Sequence, residues 1–180
     1  PVFTMGGGAI NSAVTFSRLG FKAAASFKVG NDEFGDALVG LLKKEKIFPI
    51  VSRDTSVGTA YSTILLNPNG ERTVLAYRGA SGAIRNKDIV FRKLNARWAY
   101  VVSGHMPLTL LVSLVEYFGK KGTRVAFAPS RYHLEMGMKK LRPVLKYVHA
   151  VFMNREEAAL FTKEEYKHEK LIFRKLDEAI

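Results

Sequence analysis

Residues 6–30 read GGGAINSAVTFSRLGFKAAASFKVG. Three consecutive glycines run into an amphipathic stretch, and Asn11 stands where a helix should begin. The motif admits a phosphate cradle, a plain tight turn, or a bare floor for some other ligand. A dinucleotide-binding turn needs Gly at its first, third and sixth positions. Counted from Gly6, the sixth place is Asn11, whose side chain would spoil the close helix–strand contact. No Lys-Ser or Lys-Thr follows, so this is not a nucleotide P-loop. A nicotinamide-dependent Rossmann enzyme is disfavoured on the same ground. Glycine-rich turns without a ligand are common. Three glycines in a row nevertheless strip every side chain from one patch of backbone, which suits a flat ligand lying on the main chain. Asn11 adds a carbonyl oxygen and an amide group that together can accept from and donate to a hydroxyl. That is a sugar-like mode of recognition.

Outward from this stretch, the chain alternates strand and helix. The spacing of Ala13, Val14, Phe16 and Leu19 predicts a helix over 11–19, closed by Gly20. Residues 1–5 are β-prone and 23–29 form a short buried strand. Asn31-Asp32-Glu33 supplies a cap and first-turn acids for a helix over 34–46. Strands follow at 50–51 and 58–66. Asn67-Pro68-Asn69-Gly70 is a turn signal, and 71–77 is the returning strand. Beyond it the pattern predicts a short helix at 88–94, strands at 98–103, 124–128 and 150–153, and helices at 108–121, 134–147 and 155–161. Apolar strands alternating with helices imply an α/β fold with a mostly parallel sheet covered on both faces. The hairpin at 58–77 has no place in that sheet.

The 180 residues suffice for one domain with a sizeable core. There is no Cys, which excludes disulfides, thiolate chemistry and Cys-ligated metal and fits a cytoplasmic setting. No apolar run approaches the roughly 18–20 residues of a membrane helix, so no membrane partner is expected. The formal net charge is +12, yet residues 163–178, KEEYKHEKLIFRKLDE, mix both signs as a solvated helix face does. The sequence shows no run of aromatics interleaved with Arg, so a basic surface suited to small anions is expected and nucleic acid is not.

The opening stretch resembles the first signature of the ribokinase/PfkB family of carbohydrate and nucleoside kinases. Gly6, Gly7, Ala9, Asn11, Ala13, Gly20 and Gly30 stand in register with that pattern, and NDEFGD is similar to its usual continuation. TAYSTILLNPNGERTVLAYRGAS resembles the family's β-hairpin lid, and VFMNREEAALFT its Asn-x-x-Glu stretch, with Asn154 and Glu157 in the matching places. The resemblance implies a ribokinase-like doubly wound sheet with helices on both faces, a single α/β domain over 1–180, and β-lid elements at about 1–6 and 58–79. It implies transfer of the γ-phosphoryl group of ATP, with Mg²⁺, to a hydroxyl of a sugar or sugar acid. A nucleoside kinase of the same family, or a non-catalytic ligand-binding relative, is the alternative. It further implies that Gly6, Gly7 and Asn11 bind the acceptor, and that Asn154 and Glu157 lie near metal and phosphates, Glu157 acting on the metal through water. Pairing of lids implies a homodimer.

The residues agree with this in part. Asn154 and Glu157 follow an apolar strand run and sit three apart at a helix start, on one face. Mg²⁺ keeps most of its waters, so one carboxylate suffices. The structural alternatives are a helix cap for Asn154 and a first-turn acid for Glu157. Arg78, in YRGASGA, is the candidate for binding a carboxylate on an acid sugar; a similar Tyr-Arg precedes small residues in kinases of the family acting on 2-keto-3-deoxygluconate. His105 reads as an ordinary loop residue, and Ala128 stands where relatives often carry Asp or Asn. The family's second signature, Asp-Thr-x-Gly-Ala-Gly-Asp, is absent from these residues. The chain therefore reads as the N-terminal and middle portion of a kinase, inactive alone, with the catalytic Asp expected beyond Ile180.

Overall fold

A computed structural model describes residues 4–178 of the chain. They pack as two compact units that meet in sequence between Val90 and Phe91. The first unit opens with helix α1 (Gly8–Arg18), strand β1 (Ala24–Gly30), helix α2 (Glu33–Lys44) and strand β2 (Phe48–Asp54). β1 and β2 pair in parallel, from Ala24 opposite Phe48 to Gly30 opposite Asp54. The helices seal this pair with the apolar positions of the pattern: Ile10, Ala13, Ala25, Leu42 and Ile47 are buried together, with Met5, Val14 and Leu38 packed on them. Burying such side chains stabilises by about 1.5–3 kcal/mol each for the larger ones.

The hairpin follows as β3 (Tyr61–Leu66) and β4 (Arg72–Tyr77), antiparallel, with every one of its strand residues exposed. Its turn is the one the Asn-Gly signal predicts. Gly70 takes φ 87 and its amide donates to the Asn67 carbonyl at 2.9 Å. Of the proposed first lid element, residues 1–3 lie outside the described residues, and Thr4–Gly6 carry no regular secondary structure.

Both roots of the hairpin are fixed. Asp32 caps α2 by accepting from the Gly35 amide at 2.8 Å, and the same carboxylate accepts from the amide and the hydroxyl of Thr59, each at 2.6 Å. These bonds, the Thr59 hydroxyl first, hold the Asp32 carboxyl below its usual range. Thr59 Oγ1 in turn accepts from the Gly30 amide at 2.9 Å. On the return side, Gly79 sits at φ 46, where a Cβ would collide with the Gly58 carbonyl oxygen, and the Ala80 amide donates to that oxygen at 2.8 Å. Gly79–Gly82 form one helical turn, α3.

Lys28 anchors the segment beyond. Its side chain, only 4% exposed, reaches Asp54 Oδ2 at 2.8 Å and Asp88 Oδ2 at 3.0 Å, and donates to the Ala83 carbonyl at 3.2 Å. Asp88 also accepts from Ser52 Oγ and the Arg85 amide. The helix expected at 88–94 is therefore absent. Asn86–Asp88 and Phe91–Lys93 are single 3₁₀ turns, because Asp88 is committed to Lys28 and to closing the turn before it.

The second unit holds three parallel strands in the order β5 (Trp98–Val102), β6 (Arg124–Ala128), β7 (Ala150–Val151). Helix α4 (Leu108–Lys120) buries Leu110, Leu111, Leu114, Val115 and Phe118, the side it packs on β6. The single helix expected at 134–147 is two, α5 (Arg131–Leu134) and α6 (Gly137–Leu145), because Gly137 takes φ 78 and interrupts the helical run. After β7 come α7 (Arg155–Thr162) and α8 (Glu169–Asp177), which close on Ala158, Ala159 and Ile172. The charged tail is helical only from Glu169, since Lys163 adopts a left-handed conformation that ends α7.

Lys28→Met should destabilise the chain by about 3 kcal/mol, because it takes the buried cation away from two half-buried carboxylates. Lys28, hydrogen-bonded chiefly to Asp54, titrates above its ordinary range, and it holds the Asp54 carboxyl down to about 2. A carboxyl depressed in the folded state contributes stability that is complete above its unfolded value near 4 and is lost as pH falls toward 2. Chemical denaturation from pH 7 to pH 2 should show that loss in the natural chain. The same series should show a smaller loss in Lys28→Met, which starts less stable.

Candidate functional site

α1 starts at the last of the three glycines and not at Asn11. The helix begins at Gly8, with Gly7 as its cap at φ 97, a conformation L side chains rarely adopt. A Cβ on Gly6 or Gly7 would meet nothing within 4 Å. These two residues therefore present open backbone, and no packing demand of the fold accounts for Gly6. Asn11 lies one turn into α1, its amide donating to the Gly7 carbonyl at 2.9 Å. Its side chain is exposed and has no hydrogen-bond partner among the described residues. Neighbouring Ser12 and Thr15 turn their hydroxyls back onto the helix carbonyls of Gly8 and Asn11. Asn11 alone of these keeps its polar group free.

Arg78 stands at the end of β4 and opens α3. Its carbonyl accepts from Ser81 Oγ at 2.7 Å, which fixes the backbone. The guanidinium is exposed and has no partner among the described residues. α1 and α3 both pack against β1, so the elements that carry Asn11 and Arg78 share one strand as their support.

In the second unit, Asn154 and Glu157 are bound to each other. Asn154 Oδ1 accepts from the Glu157 amide at 2.8 Å, and Glu157 Oε2 accepts from the Asn154 amide at 2.9 Å. This is a reciprocal capping box, so the cap reading of Asn154 holds. The box commits one Glu157 oxygen and leaves Oε1 without a partner among the described residues; Asn154 is exposed and Glu157 is half-buried. One free carboxylate oxygen at a helix start, with Glu156 beside it, fits a metal held through water. It does not fit a metal caged by protein. Among the described residues no group of three or more His, Asp or Glu could hold an ion.

Sequence reasoning overlooked His133. It is fully buried, with Nε2 3.0 Å from the Met106 carbonyl and Nδ1 3.0 Å from Ser130 Oγ, which also bonds the Gly104 carbonyl. Burial pushes its imidazole down toward the neutral form. The ring ties the loop after β5 to the loop after β6. His105 is exposed and stacks on Tyr132, as a plain loop residue would. Ala128 offers only its carbonyl, which accepts from the Ser103 amide at 3.3 Å. The Lys28 and Asp32 clusters were also missed. A lone Lys in an apolar strand run was the available signal for the first.

Parallel strands joined through helices, with an appended antiparallel hairpin, define an α/β fold. Residues 1–179 match the pfkB family of carbohydrate kinases, and the chain belongs to that family. It is 40% identical over 77 residues to a probable fructokinase-4 of Arabidopsis thaliana, a match covering 42% of this chain and 24% of that protein. It is 37% identical over 87 residues to a ribokinase of Mus musculus, covering 47% and 26%. Its fold is similar to that of a putative ribokinase II from E. coli (TM-score 0.81, 18% identity, 96% of this chain and 58% of that one). It is also similar to a fructokinase from Xylella fastidiosa with bound ATP (0.78, 22%, 96% and 59%). An adenosine kinase of Anopheles gambiae shares it as well (0.77, 18%, 92% and 53%). The fold is ribokinase-like. The matches span about a quarter of the curated relatives' length and little more than half of the solved chains.

The capping box makes a prediction. Asn154→Ala should cost about 1 kcal/mol of stability, while Glu157→Gln, which keeps an acceptor for the Asn154 amide, should cost no more than a few tenths. Thermal or urea denaturation of the three proteins measures both.

Proposed function

We propose that this chain is the acceptor-binding part, with one edge of the phosphate-binding part, of a kinase that transfers the γ-phosphoryl group of ATP to a hydroxyl of a sugar or sugar acid. The observation that carries the reading is the open backbone at Gly6 and Gly7 beside the free side chain of Asn11. Bare backbone lets a sugar ring lie flat. The Asn11 amide group donates to a hydroxyl oxygen and its carbonyl accepts that hydroxyl's proton, which fixes the ring's rotation. Arg78 supplies a planar pair of donors suited to a carboxylate, hence the sugar acid. Loss of the acceptor's proton is expected to fall to an Asp outside these residues.

Glu157, through water, and Asn154 would hold Mg²⁺ and the adjoining phosphates. The ion supplies charge neutralisation at the phosphoryl group when bound. Phosphoryl transfer rests on positioning and on stabilised charge, so a segment lacking the base and the anion hole is expected to be inactive alone. The adenosine kinase likeness concerns the fold, so nucleosides belong among the acceptors tested rather than in the conclusion.

The full-length protein should convert ATP to ADP with some sugar or sugar acid in an acceptor panel. No turnover and no thermal shift with any acceptor overturns the reading, and turnover on nucleosides alone replaces it with the nucleoside alternative. With a sugar acid as substrate, Arg78→Ala should raise KM about 10-fold or more, as expected for a lost charge-assisted pair, and leave neutral sugars unchanged. An equal effect on both removes the carboxylate assignment.

The hairpin suits the homodimer. A two-stranded ribbon is marginal alone, and its two faces differ. Tyr61, Tyr77, Leu65 and Leu75 lie on one, where Tyr61 stacks on Tyr77 and Phe34. Ile64, Val74 and Leu66 lie on the other, all about half exposed or more. We assign the second face to the partner's lid. Ile64→Lys should shift the full-length protein from dimer to monomer in light scattering, and a protein already monomeric sinks this assignment.

A further inference from the structure

We propose that the end of the second unit at which its parallel strands begin is a binding surface for single-stranded nucleic acid. In the linear sequence the net charge of +12 raises such a partner, but the aromatic and basic residues are not interleaved. Folding interleaves them. Residues 91–149 hold eleven Lys and Arg against two carboxylates, Glu116 and Glu135. Both carboxylates are taken by i,i+4 pairs, with Lys120 and Arg131. Residues 150–178, in contrast, balance six basic side chains with seven acidic ones. The positive charge is therefore local to one stretch.

The topology gathers much of it at one end. α4 ends at Lys120 just before β6 begins at Arg124, and α6 ends at Leu145 just before β7. Helix ends and strand starts thus share one end of the unit. The Arg124 amide donates to the Arg97 carbonyl at 3.0 Å, and the His149 amide to the Val125 carbonyl at 2.8 Å, so the three strand starts lie side by side. The Tyr147 ring fills the space a Cβ on Gly119 would need, so the ends of α4 and α6 touch.

On this end cations lie over aromatic rings three times. Arg124 sits 5.6 Å from the centre of the Trp98 ring, Lys121 5.9 Å from that of Tyr117, and Lys146 5.6 Å from that of Tyr147. Trp98 is half exposed, and His149 meets its edge. α6 extends the track, since Lys139, Arg142 and Lys146 share one exposed helix face.

A simpler explanation is that cations complement the negative ends of the helix dipoles. That accounts for Lys120, Lys121 and Lys146. It does not account for Arg97 and Arg124 at strand starts, nor for the missing carboxylates, because soluble surfaces ordinarily intersperse both signs. Cations tracking a backbone beside an exposed ring, here that of Trp98, are the requirement of single-strand binding, where bases stack on the ring and phosphates meet the cations. A polyanion without bases would use the charges and leave the Trp98 ring idle.

Trp98 is the only tryptophan in the chain, so it reports its own surface. Oligothymidylate added to the 180-residue chain should quench its emission to saturation. The affinity should fall with salt at a log–log slope of about −2 to −3.5, as for roughly three to five phosphates neutralised. Lys121→Glu with Arg124→Glu should weaken binding at least about tenfold. Lys43→Glu with Lys44→Glu, the same charge change in the first unit, should leave it within about twofold. Should the first pair fail to fold by circular dichroism, Lys139→Gln with Arg142→Gln on the exposed face of α6 takes its place, with weakening of about threefold or more expected. Heparin should compete without quenching. Equal weakening by the control pair, unchanged affinity in the surface variant, or binding without any change in Trp98 emission overturns the proposal.

Discussion

The ammonium of Lys28 holds three parts of the first unit at one point. It rises from β1, meets Asp54 at the end of β2, and meets Asp88 beyond the hairpin, with the Ala83 carbonyl as a third acceptor. Taking three charges from water costs several kcal/mol per ion, and their attraction offsets this only when the other lone pairs are also satisfied. Here they are. Asp54 Oδ1 accepts from the Ser56 and Val57 amides, and Asp88 from Ser52 and the Arg85 amide. Burial alone would raise the Asp88 carboxyl, yet Lys28 and these donors hold it below its ordinary range. The path from Gly79 to Ala83, and with it the backbone of Arg78, is set by this network.

Asp32 and Thr59 do for the entering strand what Lys28 does for the returning segment. The consequence is an uneven distribution of stability. The roots of the hairpin are tied by buried or partly buried hydrogen bonds, while β3 and β4 between them have every residue exposed. Segments with few buried apolar contacts open at low free energy. At the root of the ribbon Tyr61 stacks on Phe34 of α2, while the exposed strands beyond it suit the lid proposed above.

Local chemistry made much of this legible. The Asn-Gly tip placed the hairpin, and Asp32 capped α2 as its position before Glu33 implied. The apolar spacing found α4 and the buried strand β6. Where the reading failed, a long-range partner or a single backbone conformation had overridden the pattern. Asp88 read as helical until Lys28, 60 residues earlier, claimed it. Residues 134–147 kept helical periodicity through Gly137, whose positive φ no hydrophobic pattern reports. Asn11 read as a helix start because Asn favours caps, but Gly7 can adopt the entering conformation and the helix begins earlier. His133 was invisible because a buried His is defined by its neighbours, and Met106, 27 residues earlier, becomes one only in the fold.

The candidate site separates from this scaffold by one physical criterion, which is whether the fold already uses the polar group. Asp32, Asp54 and Asp88 spend their carboxylates on amides, hydroxyls and Lys28. Ser12, Thr15 and Ser81 return their hydroxyls to local carbonyls. Asn154 spends its side-chain oxygen on a cap, and Glu157 one oxygen of two. Asn11 and Arg78 spend nothing of their side chains among the described residues, although each sits on a backbone held firmly in place. A side chain that stabilises nothing yet stands on a rigid support is pre-organised for a partner from solution, because little further ordering of the backbone is needed to bind one. By that criterion Asn11 and Arg78 are the residues that carry the acceptor side of the proposed site. The capping oxygen of Glu157 fixes the direction in which its free one points.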